Sequence, residues 1–300
     1  MYTTRPSTCQ LSAALLLSAL FLAGCGGDST SQSATSAAPP STDRAASGNS
    51  SSKSARDAGN RAVISESMPY AEVGDELVYG YFVAPSDMFE PLPAVIMIHE
   101  WWGLNDNIRA AADRLAAEGY IVLAIDLFGG ETATTPSAAR ELMLTVVEDP
   151  ESANQNILSA FDFVSKSAGA PSVATLGWRF GGIWSLNSAT LLPDRLDASI
   201  IYYAQVTDDE DRLRPITTPL LGLFAEKDIS VRVESVAAFE AALQRLRKDY
   251  EIRIYEGVRQ GFANENADNY DAAAAGDAWN RTLDFLQRHL PNEPAEADAS

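Results

Sequence analysis

Two hydrophobic patterns alternate along the chain between residues 62 and 290. Short apolar runs, such as residues 94–99 and 120–126, have almost no polar positions and are typical of strands buried on both faces of a sheet. Longer segments repeat their apolar residues every three to four positions, as after Asn105, which is a good N-cap for a helix that ends before Gly119. This alternation predicts one α/β domain with a mostly parallel central sheet and helices on both faces.

The same patterns place the remaining elements. Further strands are predicted at residues 77–84, 172–176, 198–203, 219–224 and 251–255, and helices at 105–118, 137–148, 151–167, 183–192, 231–247 and 271–290. The stretch 127–136 is predicted to be a loop. Residues 291–300 follow Pro291 and are acidic, so we expect a disordered tail.

The first 24 residues have the pattern of an export signal. Arg5 supplies a positive charge, residues 11–23 form an apolar run too short to cross a membrane, and Leu22-Ala23-Gly24-Cys25 follows. Small residues before a cysteine resemble a bacterial lipobox, which predicts a lipoprotein acylated at Cys25 and anchored to the cell membrane or the outer membrane. The alternative is a plain secretory signal with an incidental cysteine.

The segment 25–61 is rich in Ser, Ala, Thr, Pro and Gly and has almost no large apolar residue. Such a composition buries too little surface to offset the entropy of ordering, which predicts a disordered tether between Cys25 and the domain.

Composition excludes several kinds of partner. The net charge is −19, which disfavours nucleic acid and anionic lipid surfaces, so contact with a membrane is expected only through the lipid anchor. Only two cysteines, Cys9 and Cys25, and two histidines, His99 and His289, are present. A transition-metal site is therefore disfavoured, and without a phosphate-binding glycine loop we expect no cofactor.

A glycine-rich turn at residues 177–182, Gly-Trp-Arg-Phe-Gly-Gly, lies between a predicted strand and a predicted helix. This is the layout of the nucleophile elbow of α/β-hydrolases, in which the middle residue attacks a carbonyl. Here that residue is Arg179, whose guanidinium stays protonated and is not a nucleophile. The sequence therefore has a hydrolase turn with a non-nucleophilic residue at its centre.

Three more stretches follow predicted strands: residues 98–105 with His-Glu-Trp-Trp-Gly, 222–231 with Glu-Lys-Asp, and 255–264 with Gly-Val-Arg-Gln-Gly-Phe. Together with the elbow, and in this order, they closely resemble the dienelactone hydrolase family over residues 73–290. The resemblance implies an α/β-hydrolase fold with a Cys-Asp-His triad, a glutamate that contacts the nucleophile, and an oxyanion hole of backbone N–H groups. All four motifs fall where ligand sites of open α/β sheets lie.

Two of the three triad positions depart from the family pattern. Asp228 matches the triad acid and Glu100 the family glutamate, but Arg179 stands at the nucleophile and Gln260 at the base. An amide takes up no proton near pH 7, so the base is lost as well. The resemblance also places four residues near the oxyanion hole or the pocket, namely His99, Trp101, Trp102 and Phe180.

Each of these residues also has a structural interpretation. Glu100 could be half of a structural ion pair with Arg179 or could help to bind an anion or another ligand. In the absence of ligand we expect Arg179 to pair with Glu100, Asp228 or both. Trp101 and Trp102 could be core aromatics or a pocket wall. His99 follows an apolar strand, as satisfied core histidines often do.

Two functional hypotheses follow. The domain is either a degenerate, non-catalytic or very weak hydrolase homologue that binds a small anionic or carboxylate ligand, or an active hydrolase of carboxylic esters or lactones. The second would need another nucleophile or base, for which Glu100 and His99 are the nearest candidates and Ser185 a weaker one.

Overall fold

The computed structural model describes residues 61–73 and 76–290. The predicted signal peptide, the lipidation site Cys25, nearly all of the tether and the acidic tail lie outside these residues. None of the described helices is long and apolar enough to cross a membrane.

A sheet of eight strands forms the centre of the described domain, in the order β1-β2-β4-β3-β5-β6-β7-β8. β1 pairs with β2 and β2 with β4 in antiparallel fashion, and all other neighbours are parallel. The predicted mostly parallel sheet is confirmed. The strands are β1 Val63–Val73, β2 Glu76–Pro85, β3 Ala94–Ile98, β4 Ile121–Ile125, β5 Val173–Trp178, β6 Ala198–Tyr202, β7 Leu220–Ala225 and β8 Tyr250–Tyr255.

Helices cover both faces of this sheet, as predicted, because alternate residues of the buried strands point to opposite sides. The helices are α1 Asp106–Ala117, α2 Pro136–Glu148, α3 Pro150–Asp162, α4 Phe180–Leu191, α5 Glu210–Leu213, α6 Val233–Arg245 and α7 Ala272–His289, and Phe163–Ser167 is π-helical. In β3, Val95 and Met97 join the core beneath α1 and α7, whereas Ile96 and Ile98 join the core beneath α3 and α4.

Several boundaries differ from the sequence prediction. The helix predicted over 151–167 changes to a π-helix at Phe163. β1 was not predicted, because most of its side chains are exposed and it has no apolar run. The helix after the elbow begins three residues earlier than predicted, at Phe180, because the glycines of the turn belong to its first turn.

Close packing at the elbow requires glycine at two positions. A Cβ on Gly181 would lie 2.1 Å from the carbonyl oxygen of Ile98, and one on Gly177 would lie 2.2 Å from the backbone of Gly181. Because these positions have no Cβ, the start of α4 packs closely against the end of β3. This packing brings residue 179 beside the residues that follow β3.

Candidate active site

Arg179 occupies a tight turn between β5 and α4, as the sequence predicted. Its backbone has φ 48° and ψ −105°, a conformation that non-glycine residues rarely adopt. The turn is held by the N–H of Arg179, which donates to the carbonyl of Tyr202 at 2.9 Å. The turn therefore has the strained backbone expected of a nucleophile elbow, with an arginine at its centre.

The Arg179 side chain does not make the direct ion pair that the sequence predicted. Within the described residues, no carboxylate oxygen lies within 4.0 Å of its nitrogens. Its guanidinium instead lies over the ring of Trp101, 4.4 Å from the ring centroid. Burial lowers the pKa of Arg179, and the more distant charges of Glu100 and Asp228 partly offset this. The prediction was wrong in its geometry because the indole face competes with the carboxylates for the half-buried guanidinium.

Asp228 and Gln260, the predicted positions of the triad acid and the triad base, are in direct contact. Gln260 Nε2 donates to Asp228 Oδ2 at 2.9 Å and approaches the carbonyl of Tyr203 at 3.4 Å. Asp228 Oδ1 accepts from the N–H groups of Ser230 and Val231 at 2.7 and 3.0 Å. Burial raises the pKa of Asp228, and these three donors partly offset it. Gln260 therefore holds Asp228 by a hydrogen bond but has no basic nitrogen.

Glu100 lies in the loop that follows β3 and is only 6% exposed. Its Oε1 accepts from the hydroxyl of Tyr203 at 3.3 Å, and its Oε2 accepts from Asn264 Nδ2 at 3.1 Å. Burial raises the pKa of Glu100, and the two donors and the charge of Arg179 oppose that rise. Both oxygens of this carboxyl are held, each by one long hydrogen bond.

Sequence reasoning gave no role to Tyr203 or to Asn264. Tyr203 follows β6 with φ 35°, and Asn264 lies in the loop between β8 and α7. Their position in the sequence could have indicated a role, because both are polar residues that follow the carboxyl ends of parallel strands, where ligand sites lie.

His99 is a satisfied core residue with no exposed surface. Its Nε2 accepts from the N–H of Leu127 at 3.0 Å, and its Nδ1 lies 2.6 Å from the carbonyl oxygen of Glu100. A backbone N–H can only donate, so Nε2 carries no proton and the ring is neutral with its proton on Nδ1. For this reason we assign no ion pair to the 3.6 Å approach of Asp126 to Nε2.

The two turns also retain backbone donors. The N–H groups of Trp101 and Phe180 have no backbone acceptor in the described part of the chain, and the latter is the first N–H of α4. The Phe180 ring is buried, 6.0 Å from the His99 ring. Trp101 and Trp102 are half-buried with ring centroids 4.7 Å apart. That these two N–H groups form an oxyanion hole stays a prediction from the resemblance.

Metal chemistry receives no support from the arrangement. Among residues 61–73 and 76–290, no three His, Cys, Asp or Glu side chains are grouped so that they could hold a metal ion.

Known proteins share this fold and these motifs. A sequence model of the dienelactone hydrolase family matches residues 78–290. "Protein usf" of Aquifex pyrophilus is 33% identical over 205 residues, covering 66% of this chain and 89% of its own. A protein of Saccharolobus solfataricus named a putative carboxymethylenebutenolidase is 30% identical over 235 residues, covering 66% and 90%.

A solved structure agrees in fold. A dienelactone hydrolase-like promiscuous phosphotriesterase from metagenomic libraries aligns with a TM-score of 0.70 and 20% identity, over 77% of this chain and 100% of that one.

Proposed function

The chain belongs to the dienelactone hydrolase family, and from that premise we propose that its domain binds a small anion, such as a carboxylate, where an active member holds its nucleophile. The observation that carries the proposal is the guanidinium of Arg179, which is half-buried and has no carboxylate of the described residues within ion-pairing distance. A partly desolvated cation without a direct partner gains from binding an anion.

The surroundings of Arg179 suit an anion in three respects. Trp101 covers one face of the guanidinium and restricts its motion, which leaves its N–H edge for a ligand. The N–H groups of Trp101 and Phe180, which find no backbone acceptor among the described residues, are further neutral donors that a ligand could use. Gln260 is also neutral, so no further negative charge faces the ligand from the base position.

Hydrolysis by the family mechanism is disfavoured on chemical grounds. Arg179 cannot attack a carbonyl, and Gln260 cannot accept the nucleophile's proton. Loss of one triad member lowers the rate roughly 10⁴-fold, on the order of 5 kcal/mol in the barrier, and here two members are replaced.

The alternative function is hydrolysis of carboxylic esters or lactones by another nucleophile or base. It is favoured by the relative named as a carboxymethylenebutenolidase. Against it, both ring nitrogens of His99 are engaged and the carboxyl oxygens of Glu100 are both held. Ser185 is buried, with its hydroxyl between those of Thr175 and Ser199.

Direct binding measurements test the proposal. Isothermal titration calorimetry with benzoate and with phosphate should detect a 1:1 complex that Arg179→Ala abolishes. Arg114→Ala is the matched control, because Arg114 also stacks on an indole, 4.1 Å from the centroid of Trp279, but belongs to α1. Turnover of activated esters by the unmodified protein, abolished by Glu100→Gln or His99→Ala, would instead establish the alternative.

We also propose that the chain is an exported lipoprotein attached through Cys25 and a flexible tether. The proposal is supported by the positive charge at Arg5, the short apolar run and the lipobox-like residues before Cys25. Mass spectrometry of the protein from a lipidating bacterial host should find the acylated cysteine at the mature N-terminus. An unmodified Cys25 from that host would contradict it.

A further inference from the structure

Two buried carboxyls and one guanidinium share the candidate site. Asp228 and Glu100 are 5% and 6% exposed, and both act on Arg179 over a distance rather than through direct contact. If both carboxyls are ionised, the empty site has a charge of about −1, so an entering anion meets net repulsion unless one carboxyl takes up a proton.

The two carboxyls differ in how well their ionised forms are stabilised. Asp228 accepts three hydrogen bonds of 3.0 Å or less, two of them from backbone N–H groups. Glu100 accepts only two, of 3.1 and 3.3 Å, from an amide and a hydroxyl. Because ionised carboxylates are stabilised by short and numerous donors, Glu100 is the easier of the two to protonate.

The charged and titratable groups around Glu100 come from three elements. Arg179 faces it from the start of α4, Tyr203 from the end of β6, and His99 precedes it at the end of β3. The hydrogen bonds from Asn264 and Tyr203 favour the ionised form of Glu100, and Arg179 favours it further by the attraction of its positive charge. An anion bound to Arg179 would cancel this attraction.

From this geometry we propose that the anion of the proposed function enters the site together with one proton, which is taken up by Glu100. The inference rests on that function and adds to it that binding of the anion is coupled to uptake of one proton. It implies a site selective for anions at low pH, with an affinity that falls as the solution becomes more alkaline.

Calorimetry on the full chain tests the coupling. The probes are benzoate and benzenesulfonate, used at pH values where both are fully ionised, so that any proton taken up must go to the protein. Titrations in two buffers with different ionisation enthalpies should show uptake of up to one proton per anion. The dissociation constant should rise about tenfold per pH unit between the Glu100 pKa of the free protein and the higher pKa of the complex.

Two variants locate the proton. Glu100→Gln should bind both anions with a dissociation constant that no longer changes with pH and without proton uptake. Asp228→Asn should keep the uptake, whatever its affinity. Uptake that persists in Glu100→Gln, or that disappears only in Asp228→Asn, would overturn the assignment.

The remaining outcomes separate this inference from the proposed function. Binding that needs Arg179 but shows neither proton uptake nor pH dependence leaves the anion site in place and overturns the coupling. If neither benzoate nor benzenesulfonate binds, the proposed anion site and the proton coupling are both overturned.

Discussion

Restoring two side chains should convert this site into a thiol esterase. The perturbation is Arg179→Cys combined with Gln260→His, because the resemblance implies that these are the positions of the nucleophile and the base. The elbow already has the strained backbone of a nucleophile turn, and Asp228 is already in place. Neither feature would need to be rebuilt.

The structure indicates how large the gain should be. Gln260 Nε2 lies 2.9 Å from Asp228 Oδ2, so an imidazole N–H at this position would have its orienting carboxylate within hydrogen-bond range. A cysteine at residue 179 would lie at the start of α4, where the helix dipole favours the thiolate. Triad members act as a unit, so the double variant should exceed each single variant by roughly 10⁴-fold, on the order of 5 kcal/mol.

Hydrolysis of 4-nitrophenyl acetate measures this gain, and block by iodoacetamide shows that it depends on the thiol. Arg179→Ala with Gln260→His is the matched control, since it has the base but no nucleophile. A well-folded double variant no faster than Arg179→Cys alone would refute the view that these two replacements account for the lost chemistry.

Three further predictions concern stability. Gln260→Leu should lower the free energy of unfolding by about 1–3 kcal/mol in urea denaturation, because Asp228 Oδ2 loses its donor, whereas Gln260→His should not. Because the pKa of Glu100 is raised, the native state binds this proton more tightly than the unfolded chain does. The contribution of Glu100 to the free energy of unfolding therefore falls as the pH rises from the usual glutamate pKa through the raised pKa. Melting temperatures at pH 4–8 should show that Glu100→Gln lacks this fall. Gly181→Ala should lower the free energy of unfolding by about 3 kcal/mol or more, because its Cβ would meet a backbone carbonyl of β3. Gly276→Ala, at a position of α7 with space for a Cβ, should raise it by up to about 1 kcal/mol.

Most of the fold was predictable because its central strands are apolar on both faces. β3 and β4 are completely buried, so their sequences have a single plausible interpretation. β1 is an edge strand whose exposed residues are mostly polar or small, so its hydrophobic pattern is weak.

The site was predictable in position but not in contacts. The order of motifs along the chain located Glu100, Asp228 and Gln260, because each follows a strand of the parallel sheet. The partner of Arg179 was not predictable, because a long flexible side chain can reach either a carboxylate or the face of Trp101, and the choice depends on its rotamer. Charge alone favoured the carboxylates.

The replacements at positions 179 and 260 have complementary physical effects. Gln260 keeps the hydrogen bond to Asp228 but removes a group that could carry positive charge. Arg179 supplies a permanent positive charge a short distance away, where it attracts both Asp228 and Glu100. Replacing only Arg179 would leave two buried carboxyls without a cation, which favours proton uptake by one of them. In the proposed mode of binding, this electrostatic balance couples the occupancy of Arg179 to the protonation of Glu100.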